Sequence, residues 1–205
     1  MDVIKYCAAI NKIATSLMDN LNTAIPENET MQADVEDIEN TQFENSAYSQ
    51  DLDDFVDDLK QPGFVGVGLE DEGKLHGYLY GYKFIYNDNW DEDSVSDAKW
   101  FVDDSNKAIK ILKKAAKSGK IMYCSNLAVR PDYRIFLTKM FARFVEKCKA
   151  NGYKYIAADA LSKSYKLLFD FAGSPRKDRL DKFGVQLICT GKISDSSNLI
   201  ILKIA

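Results

Sequence analysis

The stretch that decides the fold is Ile121 to Tyr155, IMYCSNLAVRPDYRIFLTKMFARFVEKCKANGYKY. Its apolar run, ending in Leu127, Ala128 and Val129, predicts a buried strand. Arg130-Pro131-Asp132-Tyr133-Arg134 reads as a turn, because the proline ring pushes Arg130 away from helical angles. Phe136, Met140, Phe144 and Cys148 then recur at four-residue spacing, with Phe141 and Val145 beside them, and predict a helix with one buried stripe. Gly152 supplies its stop, and Tyr153-Lys154-Tyr155-Ile156-Ala157-Ala158 reads as the next strand. A helix start fed by a strand concentrates amide N–H groups and positive dipole, a setting for an anion and for a pyrophosphate above all.

Upstream, Phe64 to Leu69 and Lys74 to Tyr86 form a hairpin about Asp71-Glu72-Gly73. Alternation puts Tyr78, Tyr80, Tyr82, Phe84 and Tyr86 on one face and Gly77, Leu79, Gly81 and Ile85 on the other. That aromatic face either lines a ligand cleft or packs under a helix, and packing is the expectation. Residues 87–118 interrupt the sheet, with a helix over Ala108 to Lys117 capped near Asp103, Asp104 and Ser105 and striped by Lys107, Lys110, Lys114 and Lys117. Downstream come a helix from Leu161 to Phe171, a basic loop with Arg176, Lys177 and Arg179, and closing strands at Val185–Cys189 and Leu199–Ile204. Nearer the start, Val3, Ile4, Cys7, Ala8, Ile10, Ala14, Leu17, Met18 and Leu21 predict an amphipathic helix over 2–21. Residues 24–45 are acidic and read as a linker or long loop, and Leu52, Phe55, Val56 and Leu59 predict a short helix. The sum is an α/β fold: a mixed, mostly antiparallel central sheet of about six to seven strands with helices on both faces. Residues 1–60 are expected to pack on a main domain of 61–205 that carries a helical insert at 87–119.

Totals narrow the function classes. The chain has 205 residues, 46% of them hydrophobic, and a net charge of −4. No apolar run reaches the roughly 18–20 residues of a bilayer span, and no secretory leader is evident, so a cytoplasmic protein with no membrane partner is expected. One histidine and four scattered cysteines exclude zinc-site spacing, and no metal site is expected. His76 itself is expected to be structural. Between Lys12 and Lys60 there are thirteen acidic residues and no basic one, so residues 60–205 are net basic. The acidic arm either masks the basic body or, like the lysine helix, meets a protein partner; an anionic ligand suits the body, and the net charge disfavours nucleic acid.

The order of elements and three local words resemble the GNAT superfamily of acetyl-CoA dependent N-acetyltransferases. FVGVGLEDEGKLHGYLYGY is similar to the second and third strands of that family, SNLAVRPDYR to the fourth strand and the turn beyond it, and YKYIAADALSKSYKLLFDFAG to the fifth strand and fourth helix. The family's first strand is not evident in residues 1–60. The resemblance implies an acetyl-CoA arm alongside Leu127, Ala128 and Val129, and phosphates against Arg134, Thr138 and Lys139. The family's anion loop, Arg/Gln-x-x-Gly-x-Gly/Ala, is matched by Arg134-Ile135-Phe136-Leu137-Thr138-Lys139, with Leu137 and Lys139 where small residues are expected. In the fourth helix Ser162 stands for the usual Asn and Phe169 for the Tyr that protonates the leaving thiolate, leaving Tyr165 as a substitute. Asp159 is the implied carboxylate base. The resemblance therefore implies acetyl transfer to a small-molecule or protein amine, or a non-catalytic binding or structural module that keeps the fold.

Overall fold

The structure, a computed structural model, describes residues 17–18, 28–43, 50–85, 105–161, 177–192 and 197–205. In chain order these form β1 (Leu17–Met18), α1 (Glu29–Phe43), α2 (Leu52–Leu59), β2 (Val65–Asp71) and β3 (Lys74–Lys83). Then come α3 (Ser105–Lys117), β4 (Ile121–Val129), a 3-10 helix (Pro131–Phe136), α4 (Leu137–Ala150) and β5 (Tyr155–Leu161), followed by α5 (Lys177–Lys182), β6 (Val185–Lys192) and β7 (Ser197–Ile204). Seven strands join one sheet in the order β1-β2-β3-β4-β5-β7-β6. β4 and β5 pair in parallel, from Ile121↔Tyr155 to Cys124↔Ala158, as a strand–helix–strand unit requires, while β1–β2, β2–β3, β5–β7 and β6–β7 pair antiparallel. The mixed, mostly antiparallel sheet expected from the sequence is the one found.

The chain divides into two compact units, Met1–Gly81 with Asn126–Phe144, and Tyr82–Ser125 with Val145–Ala205. In the first, Met31, Val35 and Ile38 of α1 and Phe55 and Leu59 of α2 bury against Leu75, Tyr78, Tyr80 and Ala128. Tyr78 and Tyr80 thus lie under helices, as expected, and Phe55 meets both rings edge-on at 5.1 and 5.2 Å. In the second, Leu112 and Ala115 of α3 pack with Phe84, Ile121, Ala157, Leu199 and Ile201. The α4 stripe is also as expected: Phe136, Met140, Phe144, Val145 and Cys148 are all buried. Gly152, at φ 80°, ends that helix, and Glu72 (φ 52°) with Gly73 (φ 78°) turns the β2–β3 hairpin.

Three expectations are corrected, the first being the basic loop, of which Lys177–Lys182 is the short helix α5. The acidic stretch read as a linker is the fifteen-residue helix α1, because Met31, Val35 and Ile38 lie at i, i+4 and i+7 and bury together. Leu17 and Met18, read as part of a helix over 2–21, are instead a strand paired with Leu69 and Gly68. Backbone pairing with β2 outweighs helical spacing there; the remainder of 2–21 lies outside the described residues. The helix read over Leu161 to Phe171 also lies outside them, apart from Leu161 at the end of β5. No helix of the described residues is long and apolar enough to cross a membrane.

Candidate functional site

In the first unit, α1 starts at Asn28, whose Oδ1 accepts hydrogen bonds from Thr30 N–H (3.0 Å) and Met31 N–H (3.1 Å). The face it buries carries two carboxylates besides its apolar side chains: Asp34 is 7% and Glu39 2% exposed. A buried carboxylate is tolerated only where donors replace its water, and both have them. Asp34 Oδ2 accepts from Leu75 N–H at 2.8 Å, and its Oδ1 meets Arg130 Nη2 at 3.4 Å. Arg130 Nη1 reaches Asp37 Oδ2 at 2.5 Å.

Glu39 is the hub of a larger network. Its Oε1 accepts from the Tyr78 hydroxyl and from Asn126 Nδ2 at 2.8 Å, and its Oε2 accepts from Gln50 N–H at 3.2 Å. Asn126 Nδ2 also donates to Gln50 Oε1 (2.8 Å), which the Tyr80 hydroxyl approaches at 2.6 Å. Asp58 Oδ2 lies 3.0 Å from that hydroxyl and 3.1 Å from Gln50 Nε2. Burial lifts the Glu39 carboxyl above the usual carboxylate range, and the bonds from Tyr78, Gln50 and Asn126 offset part of the rise. Burial, then the Glu39 charge, pushes the Tyr78 hydroxyl well above its ordinary value, so the shared proton stays on the tyrosine.

Asn126 begins the segment that leads into the turn. Leu127 is half-buried, while Ala128 and Val129 are 2% and 4% exposed. Gly77 of β3 lies hard against them: a Cβ added there would fall 2.8 Å from Val129 Cγ2 and 2.9 Å from the Ala128 carbonyl oxygen. Arg130 takes the extended angles a following proline imposes, φ −53° and ψ 143°. The 3-10 helix follows without a side-chain cap, and the Leu137 N–H that ends it donates to the Arg134 carbonyl.

Of the residues implied for phosphates, Arg134, Thr138 and Lys139 are exposed and Leu137 is half-buried. The Arg134 guanidinium donates from Nη2 to Gln42 Oε1 of α1 at 2.8 Å. Leu127, Ala128, Val129, Arg134, Leu137, Thr138 and Lys139 therefore all belong to the first unit, on one continuous strand–turn–helix. Asp159 belongs to the second unit, half-buried on β5 and paired in register with Leu199. Ser162 and Tyr165 lie outside the described residues.

His76, the single histidine of the chain, lies on β3. It is the extra residue of a β-bulge, since Leu69 pairs with Gly77 and Glu70 with Leu75. Its ring stacks on Tyr133 of the turn, centroids 3.8 Å apart and planes within 9°.

These residues lie on a strand, turn and helix of a mixed sheet in which β4 and β5 pair in parallel. Solved structures with a similar fold include acetyltransferases. An aminoglycoside 6'-acetyltransferase type Ii superposes with a TM-score of 0.55 at 9% identity, over 92% of this chain and 96% of that one. A ribosomal-protein-alanine N-acetyltransferase from Brucella melitensis gives 0.53 at 13% identity, over 92% and 99%. An aminoglycoside 6'-N-acetyltransferase complexed with coenzyme A gives 0.52 at 13%, over 91% and 95%. The fold is that of the GNAT acetyltransferases. No protein-family model matches the sequence, and no curated protein matches it significantly.

The sequence reading missed Glu39, Gln50, Asn126 and Arg130. For Glu39 a signal was present: an Asn cap followed by apolar residues at 31, 35 and 38 marks a helix, and 34 and 39 flank its stripe.

Proposed function

We propose that the chain is a GNAT-type N-acyltransferase that moves an acetyl group from acetyl-CoA to an amine by direct attack. One observation carries this reading: in a GNAT fold, the buried end of β4 runs straight into a helix start on which Arg134, Thr138 and Lys139 face solvent. Arg134 and Lys139 supply positive charge to a pyrophosphate, and the Thr138 hydroxyl supplies a donor. The fit has one cost. Leu137 brings a side chain where a bare backbone serves best, and its N–H is already spent on Arg134. Side-chain cations, rather than loop amides, hold the phosphates in this reading.

The pantetheine arm lies along Leu127, Ala128 and Val129, and a β4 backbone N–H polarises the thioester carbonyl. The amine nitrogen forms the new bond to the carbonyl carbon, the carbon–sulfur bond breaks, and the thiolate leaves. Positioning the two reactants does most of the catalytic work. The amine proton passes to water or to Asp159. Tyr165 returns a proton to the thiolate, and Ser162 contacts the coenzyme. The acceptor is a small-molecule or protein amine, consistent with solved neighbours named for aminoglycosides and for a ribosomal protein.

A second reading has its own support. Gln42 occupies the Arg134 guanidinium and the turn satisfies the Leu137 amide, as in a fold kept for binding rather than catalysis. Release of free thiol from acetyl-CoA across a panel of polyamines, aminoglycosides and peptide amino termini decides between them. Amine-dependent release, with the acetylated product found by mass spectrometry, is expected; thiol release absent across the panel, with acetyl-CoA bound, favours the binding module.

A further inference from the structure

His76 touches the turn twice, through its backbone and through its ring. Its carbonyl accepts from Arg130 N–H at 2.9 Å, and Arg130 O in turn accepts from Tyr133 N–H at 2.9 Å. Its imidazole stacks on Tyr133, whose ring leans on buried Phe136 at 6.3 Å. Arg134 lies between those two aromatic residues in the sequence, so the ring stack fixes the backbone on which the proposed phosphate-binding arginine stands. The imidazole is 8% exposed, and its buried Nδ1 has no hydrogen-bond partner among the described residues. The bulge makes this possible: it turns His76 out of the alternation that places Leu75, Tyr78 and Tyr80 against α1 and α2.

We infer that His76 is a pH-sensitive positioning residue for the anion site: neutral, it stacks on Tyr133 and holds the Arg134 turn, and protonated, it leaves the stack and lets the turn loosen. This rests on the proposed acyl-CoA site, of which Arg134 is a part. The charged groups around the ring are Arg130 and Lys74, which oppose protonation, and Asp71 and Asp34, which favour it. Asp34 is already committed to Arg130 and to Leu75 N–H. Burial and then Arg130 hold the imidazole below its ordinary value of 6.5. An imidazolium formed in place would bring a second N–H with no acceptor to receive it, so water outside the stack is where the charge is stable. Linkage makes the effect reciprocal: because protonation loosens the turn, a bound anion lowers the His76 titration, outweighing the anion's own charge, which pulls the other way.

The chain has a single histidine, so its imidazole resonances are unambiguous in a proton NMR titration. The test follows those resonances and the Tyr133 ring between pH 8 and 5, with and without acetyl-CoA, alongside acetyl-CoA affinity in wild type and His76→Phe. Phenylalanine keeps the stack and cannot titrate, which separates His76 from the ligand's own phosphate ionisation. The expected result is a wild-type affinity that falls severalfold more than that of His76→Phe over this range, with a His76 midpoint lowered on binding, one coupling read twice. An identical pH dependence in both proteins, or a His76 midpoint indifferent to the ligand, overturns the inference. If acetyl-CoA binds at no pH, the site reading falls instead. The Tyr133 ring then judges the coupling: it must shift with His76, and a ring that ignores the titration overturns it.

Discussion

Asn126 Nδ2 donates to Glu39 Oε1 across 2.8 Å, joining β4 to a helix 87 residues earlier in the chain. The bond lies beside the strand segment proposed to receive the acyl donor, and the carboxylate that accepts it is 2% exposed. The stability of that segment is tied to the charge state and length of one glutamate side chain.

Glu39→Ala strands the Tyr78 hydroxyl and an Asn126 amide hydrogen, and is expected to cost about 2–4 kcal/mol in urea unfolding. Glu39→Gln keeps an acceptor and removes the buried charge, so it costs less. Because the Glu39 carboxyl is lifted above its ordinary 4.5, its ionisation opposes folding. The corresponding stability is present in full below that value and lost as pH rises through the folded one. Glu39→Gln should therefore compare more favourably with wild type at pH 7 than at pH 4. An unchanged difference at the two pH values contradicts this.

His76 titrates in the opposite sense. Its folded value is depressed, so its contribution to stability is full above 6.5 and is lost as pH falls from there through the folded value. Thermal unfolding between pH 7.5 and 5 should show a decline in Tm that is shallower in His76→Phe. Equal slopes would remove His76 from the acid sensitivity of the fold.

Gly77→Ala tests the close approach of β3 to β4. Its new methyl would sit 2.8 Å from Val129 Cγ2 and 2.9 Å from a backbone oxygen, which cannot swing aside as a side-chain end can. A loss of about 1–3 kcal/mol is expected, together with weaker acetyl-CoA binding, because the displaced residues are those proposed to line the pantetheine. A variant with wild-type stability would show that β4 yields freely there.

Much of this architecture is legible in the residues themselves. Phe136, Met140, Phe144 and Cys148 announce α4, Gly152 its end and Asp71-Glu72-Gly73 the hairpin, because each signal is local. Helix α1 is hidden by composition: its acidic residues read as solvated, although two of them point inward to partners far off in sequence. No local pattern pairs Glu39 with Asn126 or Asp34 with Arg130, and nothing around His76 marks a bulge except the glycine after it. The strand–turn–helix implied for the acyl donor was legible as a segment. Its occupancy by Gln42 was not, since that bond spans 92 residues.

Gln42→Ala frees the Arg134 guanidinium from α1 and should leave acetyl-CoA affinity unchanged or raise it, while Gln42→Glu converts the contact into an ion pair and should lower it severalfold. Isothermal titration of the two variants checks the order. Equal affinities would mean that the arginine is not shared between helix and ligand.

The most direct measurement is a calorimetric and thermal-shift titration of acetyl-CoA into the wild-type chain and Arg134→Ala at neutral pH. Binding to the folded form alone stabilises it by about 2.7 kcal/mol at a hundred times the dissociation constant. The expected result is a saturable heat and a rise in Tm in the wild type, with affinity at least about tenfold weaker in Arg134→Ala, as befits the loss of a charge-assisted contact. No heat and no shift at millimolar acetyl-CoA, or full binding by Arg134→Ala, would contradict an acyl-donor site on this turn.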